Sequence, residues 1–194
     1  MANKPISFNT DMVRAILDGQ KTVTRRGVKP QPFDVRQQED AKCWCGHFVA
    51  ENGKVLTDKP PYTTGDILYA RESFWKRPSG KYSYRADYTG ASGWKWRPSI
   101  HMPREAARIF LRVTGVRVER LRDMTEQDAI KEGCEQGYID ADVNRTIPAI
   151  SAFEEIWDRT IKPVDRAVYG WAANPWVWVI EFERISKEEA IRDE

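Results

Sequence analysis

The run Gly19-Gln20-Lys21-Thr22-Val23-Thr24-Arg25-Arg26 brings an amine, hydroxyls and guanidiniums into one short segment. Together they form a site-like cluster. A hydroxyl can attack a carbonyl, an amine can accept a proton, and a guanidinium can hold a carbonyl or phosphate oxygen. In an extended chain Lys21 and Thr24 point to opposite faces, so only a bulge or tight turn unites them, and Gly19 can supply such a turn. The competing reading is an exposed basic strand end after a helix, the ordinary state of Lys and Arg.

The surrounding elements decide which other groups reach this run. Ile6 and Phe8 alternate as in a short strand, and Thr10 can cap a helix that places Met12, Ile16 and Leu17 on one face and stops at Asp18-Gly19. Ile67 to Phe74 and Tyr82 to Ala86 read as strands. Arg108 to Leu121 reads as a longer one whose alternation resets at Gly115, as at a bulge or bend. Thr125 with Asp128 three residues on resembles a capping box, and Gly133 marks the stop, so Glu132 is expected at the end of that helix. A longer helix is expected over Pro148 to Ile161, burying Phe153, Ile156 and Trp157. A closing strand follows over Trp176 to Glu183, with Trp178, Ile180 and Phe182 on one face. The order of elements gives α+β, a partly closed mixed barrel with helices on its flanks. Two stretches lack any sustained period, about 27–63 and 87–105, and are expected to be loop insertions within a single domain spanning 1–194.

The octet, then Thr64-Gly65-Asp66-Ile67-Leu68, Thr125 to Gly133, and Val177-Trp178-Val179-Ile180-Glu181-Phe182 resemble, in this order, the ASCH branch of the PUA-like superfamily. These are small β-barrel proteins tied to RNA and nucleosides, and they include amidohydrolases that remove acyl groups from N(4)-acetylcytidine. Gly19 and Lys21 match the family's Gly-x-Lys signature, which Arg26 closes. Thr24 stands where many members carry Glu, a departure toward the amidohydrolase branch, which has Lys, Thr and a following Arg at this spacing. The resemblance implies an α+β, PUA-like mixed β-barrel with flanking helices, a catalytic set of Lys21, Thr24 and Glu132, and no cofactor. The extended, Trp-rich form looks like phage-encoded relatives.

In that set Thr24 would attack the acyl carbonyl. Lys21 can serve as base only if its pKa falls from about 10.4 toward neutrality, which burial and the neighbouring arginines favour and an ion pair with Glu132 opposes. Glu132 either shuttles a proton to the leaving nitrogen or activates a water while Thr24 orients the substrate. Further substrate contacts are expected by type. Arg26 and Arg71 suit a carbonyl or phosphate, and Tyr69, Trp75 or Trp94 could stack on a pyrimidine. Glu72, on an otherwise apolar strand, either accepts from a base edge or forms a structural ion pair. Trp94, Lys95, Trp96 and Arg97 combine stacking surface with charge, so the 87–105 loop is expected to edge the cleft.

Composition narrows the setting. The chain has 194 residues, 41% of them hydrophobic, and a formal net charge of +2, which suits one domain with a real core. Between Asp66 and Arg108, nine Lys or Arg face four Asp or Glu, whereas from Glu119 onward 18 acidic residues face 10 basic ones. That dipolar arrangement can attract an anionic ligand to one side. The expected partner is a small modified nucleoside. The alternative is RNA, with the same cleft as an RNA-binding or RNA-cleaving ASCH module, and a third reading is a non-enzymatic adaptor. Near-neutral net charge favours the free nucleoside over a long strand, whose binding draws on many phosphate contacts. No apolar run approaches the roughly 20 residues that span a bilayer, and no signal peptide is evident, so the expectation is a cytoplasmic protein without membrane contact. Cys43, Cys45, His47 and Cys134 are the weak alternative of a metal site, because Cys-x-Cys is tighter than the usual zinc knuckle.

Overall fold

Local caps and reversals set the N-terminal third of the chain. The computed structural model describes residues 3–36, 47–49, 51, 53–56, 59–90, 93–135, 138–140 and 145–192. Strand β1 (Lys4–Ser7) leads into helix α1 (Thr10–Leu17). The Asn9 side-chain oxygen accepts from the Met12 amide at 2.8 Å. The cap therefore lies one residue before Thr10, since Asn fills that place at least as well as Thr. The helix stops where Gly19 takes a φ of +76°. The chain doubles back, with the Gln20 and Lys21 amides both donating to the Ala15 carbonyl, and enters β2 (Val23–Gly27).

The stretch 27–63, expected to be irregular, contains a small antiparallel sheet of β3 (Asp34–Arg36), β4 (His47–Val49) and β5 (Val55–Leu56). Its anchor is Phe48, fully buried and edge-on to Trp178 at 5.3 Å between ring centres. Strand β6 (Ile67–Arg71) ends earlier than its apolar run suggests, and the chain resumes as the hairpin β7 (Phe74–Lys76) and β8 (Tyr82–Tyr84). The break falls at Glu72-Ser73, where the Ser73 carbonyl accepts from the Arg85 amide at 2.8 Å and Glu72 turns to Arg108. Strand β9 (Phe110–Arg120) follows, then α2 (Glu126–Lys131), the hairpin β10 (Tyr138–Asp140) and β11 (Arg145–Ile147), α3 (Ala149–Thr160), α4 (Arg166–Tyr169), β12 (Trp176–Ile185) and α5 (Lys187–Arg192).

The result is α+β, with a five-stranded mixed sheet of order β1-β6-β9-β12-β2. Only β1 and β6 pair in parallel; the other ladders of this sheet are antiparallel. The expected bulge is present. Glu181 faces Gly115 but Phe182 faces Val113, which leaves Thr114 as the extra residue of β9. A bulge bends its strand and adds twist, and here the two edge strands come within one side chain of each other, because Arg26 of β2 donates to the Ser7 carbonyl of β1 at 3.1 Å.

Strand β12 is buried on both faces. Trp178, Ile180 and Phe182 join Val13 and Ile16 of α1 in the core inside the curled sheet. Val177 and Val179 pack on the other side with Val23, Leu121, and Phe153 and Trp157 of α3. No helix among the described residues is long and apolar enough to cross a membrane.

Candidate active site

The octet is pinned between the ends of two helices. Thr125 and Asp128 form a reciprocal capping box at the start of α2, which ends with Glu132 as its C-cap. Gly133 then takes a φ of +90°, and a Cβ placed there would stand 2.6 Å from the Ala15 side chain and 3.3 Å from that of Lys21. Only glycine lets the two helix ends approach this closely. The Thr22 amide donates to the Lys131 carbonyl at 2.9 Å, tying the octet to α2.

This packing resolves the parity conflict between Lys21 and the strand. Lys21 precedes β2 and folds back along it. Its ammonium, fully buried, donates to the Val23 carbonyl and the Glu132 carbonyl at 2.8 Å each and to Glu132 Oε2 at 2.5 Å. Burial pushes the Lys21 pKa down, with the Glu132 carboxylate opposing it. The other oxygen of Glu132 accepts from Arg25 at 3.3 Å. Arg25 also holds Glu119 through two bonds of 2.6 and 3.0 Å. Burial works against its charge, but Glu119, Glu132 and Asp128 outweigh it and raise its pKa.

Thr24 is buried, and its hydroxyl accepts from Arg26 at 3.1 Å. Arg26 also donates to the Arg25 carbonyl at 3.0 Å and lies 5.7 Å from the centre of the Phe8 ring. A cavity of about 560 Å³ opens over the gap between β1 and β2, and Thr24, Arg26 and Glu132 border it. Lys21 is not on its wall and stands behind Glu132. One wall comes from β1 and its neighbours, with Asn9, Tyr62 and Arg71; the other comes from α3 and α4, with Ile156, Trp157 and Tyr169. The volume falls in the range of small-molecule sites.

The structure thus brings together Lys21, Glu132, Thr24, Arg26 and Arg71. It does not bring in Tyr69, Glu72, Trp75 or Trp94, none of which borders the cavity. Tyr69 packs on the separate cluster around Phe74 and Met102. Glu72 is buried and accepts two bonds from Arg108, at 2.8 and 3.0 Å, which is the ion-pair alternative, while Arg108 also donates to Asp87; burial raises the Glu72 pKa and Arg108 opposes the rise. Trp75 stacks on Trp94 at 4.9 Å between centres, and Tyr88 and Trp96 complete the group. Trp75 and Trp94 cover one face of each other, and the remaining contacts of the group are edge-on or tilted. The 87–105 loop touches a cleft residue where the Ile100 carbonyl accepts from Arg71 at 3.0 Å.

Cys43 and Cys45 lie outside the described residues, as does the side chain of His47. Cys134 is a buried free thiol whose pKa burial pushes up to about 11. Among the described residues no group of three or more His, Cys, Asp or Glu is placed to hold a metal ion. Sequence reasoning did not select Arg25, Tyr62, Trp157 or Tyr169 as site residues. Arg25 carried a signal, its place between Thr24 and Arg26 on a strand whose both faces matter. Trp157 followed the helical spacing of a core residue and gave none.

No family model matches the chain, and no curated protein matches it. A solved structure that aligns with it is that of protein EF3133 from Enterococcus faecalis V583, of the family DUF984. The alignment covers 96% of this chain and 82% of that one, with a TM-score of 0.47 and 10% sequence identity.

Proposed function

We propose that the curled sheet is a PUA-like barrel of the ASCH type and that its cleft hydrolyses the amide of N(4)-acylated cytosine or cytidine. The observation that carries this reading is the buried Lys21–Glu132 pair standing behind a cavity that Glu132 and Thr24 both border. With all three of its N–H directions occupied, Lys21 is an ammonium without a free lone pair. Glu132 is then the base, and Lys21 acts through it.

In this reading the Thr24 oxygen bonds to the acyl carbon while its proton passes to Glu132. Arg26, already donating to that hydroxyl, steadies the charge that develops on oxygen. The intermediate collapses by breaking the carbon–nitrogen bond, and the proton held by Glu132 goes to the exocyclic nitrogen, releasing cytidine. Water, deprotonated by the same carboxylate, then attacks the acyl ester; the carbon–oxygen bond to Thr24 breaks, Glu132 returns the proton to the Thr24 oxygen, and the carboxylic acid leaves.

The test is to follow the ultraviolet spectrum of N(4)-acetylcytidine with the protein and its Thr24→Ala and Glu132→Gln variants. Turnover by the native chain and a loss of about 100-fold or more in each variant are expected. A Thr24→Ala protein with near-native turnover would instead assign the attack to a water activated by Glu132. No turnover by the native chain on any acylated cytidine would remove the reading.

A further inference from the structure

The charges around the cavity do not balance. Lys21 and Arg25 are matched by Glu132 and Glu119. Arg26, Arg71 and Lys29, all on the cavity wall, form no ion pair within 4 Å with a carboxylate among the described residues, although Glu132 acts on Arg26 at longer range. Arg26 donates to the Thr24 hydroxyl and to the Arg25 and Ser7 carbonyls, all neutral acceptors. Arg71 donates to the Ile100 carbonyl, while its Nε is buried with no protein partner. A half-buried guanidinium whose buried Nε is unmet by the protein offers a fork that matches phosphate oxygens.

The two arginines occupy different places along the cavity. Arg26 touches Thr24 and so belongs to the reacting end. Arg71 is the register partner of Ser7 in the β1–β6 ladder, one strand beyond the carbonyl that Arg26 reaches. Because Arg26 itself reaches β1 at Ser7, one further strand spacing, about 5 Å, separates that contact from the β6 backbone that carries Arg71. Tyr62 sits in the field of both guanidiniums, with its hydroxyl donating to the Pro5 carbonyl at 2.8 Å, and with Asn9 it helps wall this end.

We propose that Arg71 binds the phosphate of the substrate, so that the preferred substrate is the 5′-monophosphate of an N(4)-acylated cytidine rather than the bare nucleoside. This rests on the proposed amide hydrolysis for the reaction, but the anion site stands on Arg71 itself. One phosphate suits Arg71, whose Nε alone among the cavity's cationic groups is buried without a protein partner, on the wall of a cavity of about 560 Å³ that Arg26 and Lys29 also border, whereas a strand of RNA needs a longer track of cations.

The experiment compares N(4)-acetylcytidine with its 5′-monophosphate, and cytidine with cytidine 5′-monophosphate by calorimetry. The nucleotide should show kcat/KM higher by about tenfold or more, mainly through KM, as one charge-assisted contact gives. Arg71→Gln should erase most of that ratio, and Arg71→Lys should keep part of it. Equal rates for nucleoside and nucleotide overturn the proposal, as does a ratio that survives Arg71→Gln in a folded variant. Faster hydrolysis of a short acetylated RNA than of the mononucleotide overturns it in favour of a strand-binding groove. Should Arg71→Gln fail to fold, the native protein's two ratios decide. If neither acetylated compound is hydrolysed, the amidohydrolase reading fails alone. Cytidine 5′-monophosphate binding about tenfold tighter than cytidine then still upholds the anion site, and equal binding removes it.

Discussion

Lys21 and Glu132 hold each other in place, and the energetics of burial dictate how they respond to change. Each charge is withdrawn from water and tolerated because the other stands 2.5 Å away. Removing one partner leaves the other buried, a loss of about 3–5 kcal/mol in such pairs. Arg25 softens the loss when Lys21 is the residue removed, because it still faces Glu132 at 3.3 Å. We therefore expect Lys21→Met to lower stability toward the lower end of that range in urea denaturation. Adding Glu132→Gln to Lys21→Met should cost far less than Glu132→Gln alone in the native background. Strictly additive losses across the double-mutant cycle would show that the two charges are not coupled. A loss of activity in Lys21→Ala then has two origins, a weakened fold and a Glu132 without its proton partner, so activity must be read on the folded fraction.

At the scale of elements, the approach of α1 to α2 positions that pair, and Gly133 is where the approach is closest. Gly19 and Gly133 both have positive φ, but a Cβ at Gly19 would meet open space while one at Gly133 would meet Ala15 at 2.6 Å. Gly19→Ala should cost only the left-handed strain, about 1–2 kcal/mol. Gly133→Ala should add the cost of overpacking and reach about 2–4 kcal/mol, measured as the difference between the two variants in thermal or urea unfolding. Equal losses would mean that the helix ends can separate freely. Both glycines were legible in the sequence as helix stops, and so were the capping box of α2, the bulge at Gly115 and the inward face of Trp178, Ile180 and Phe182. Each of these is written in a few neighbouring residues. What was not legible depends on partners far along the chain. Glu72 breaks its strand for Arg108, 36 positions away. Phe48 is one apolar anchor in a polar stretch, and Trp75 and Trp94 stack on each other. Residue type alone cannot separate an aromatic ring that awaits a base from one that already has a neighbour.

For the whole molecule, the cleft exists because a five-stranded sheet is curled far enough to face its own edges without closing. β1 and β2 share no ladder. The link between them is the Arg26 guanidinium, which donates to β1 at Ser7 and to Thr24 and the Arg25 carbonyl of its own strand. One side chain thus spans the seam and donates to the Thr24 hydroxyl, and the expectation is that it sets the width of the seam. Arg26→Met keeps much of the apolar stem but removes every donor, so the seam should loosen while the interior ladders β6–β9 and β9–β12 stay protected. Amide hydrogen exchange should rise in Lys4–Ser7 and Val23–Gly27 and change little in β9 and β12. Arg159→Met, which removes an exposed pair with Glu155 on α3, serves as the control and should shift stability by no more than about 1 kcal/mol. If exchange in Arg26→Met rose equally in edge and central strands, the effect would be global unfolding, and the seam would owe its width to the core beneath it rather than to Arg26.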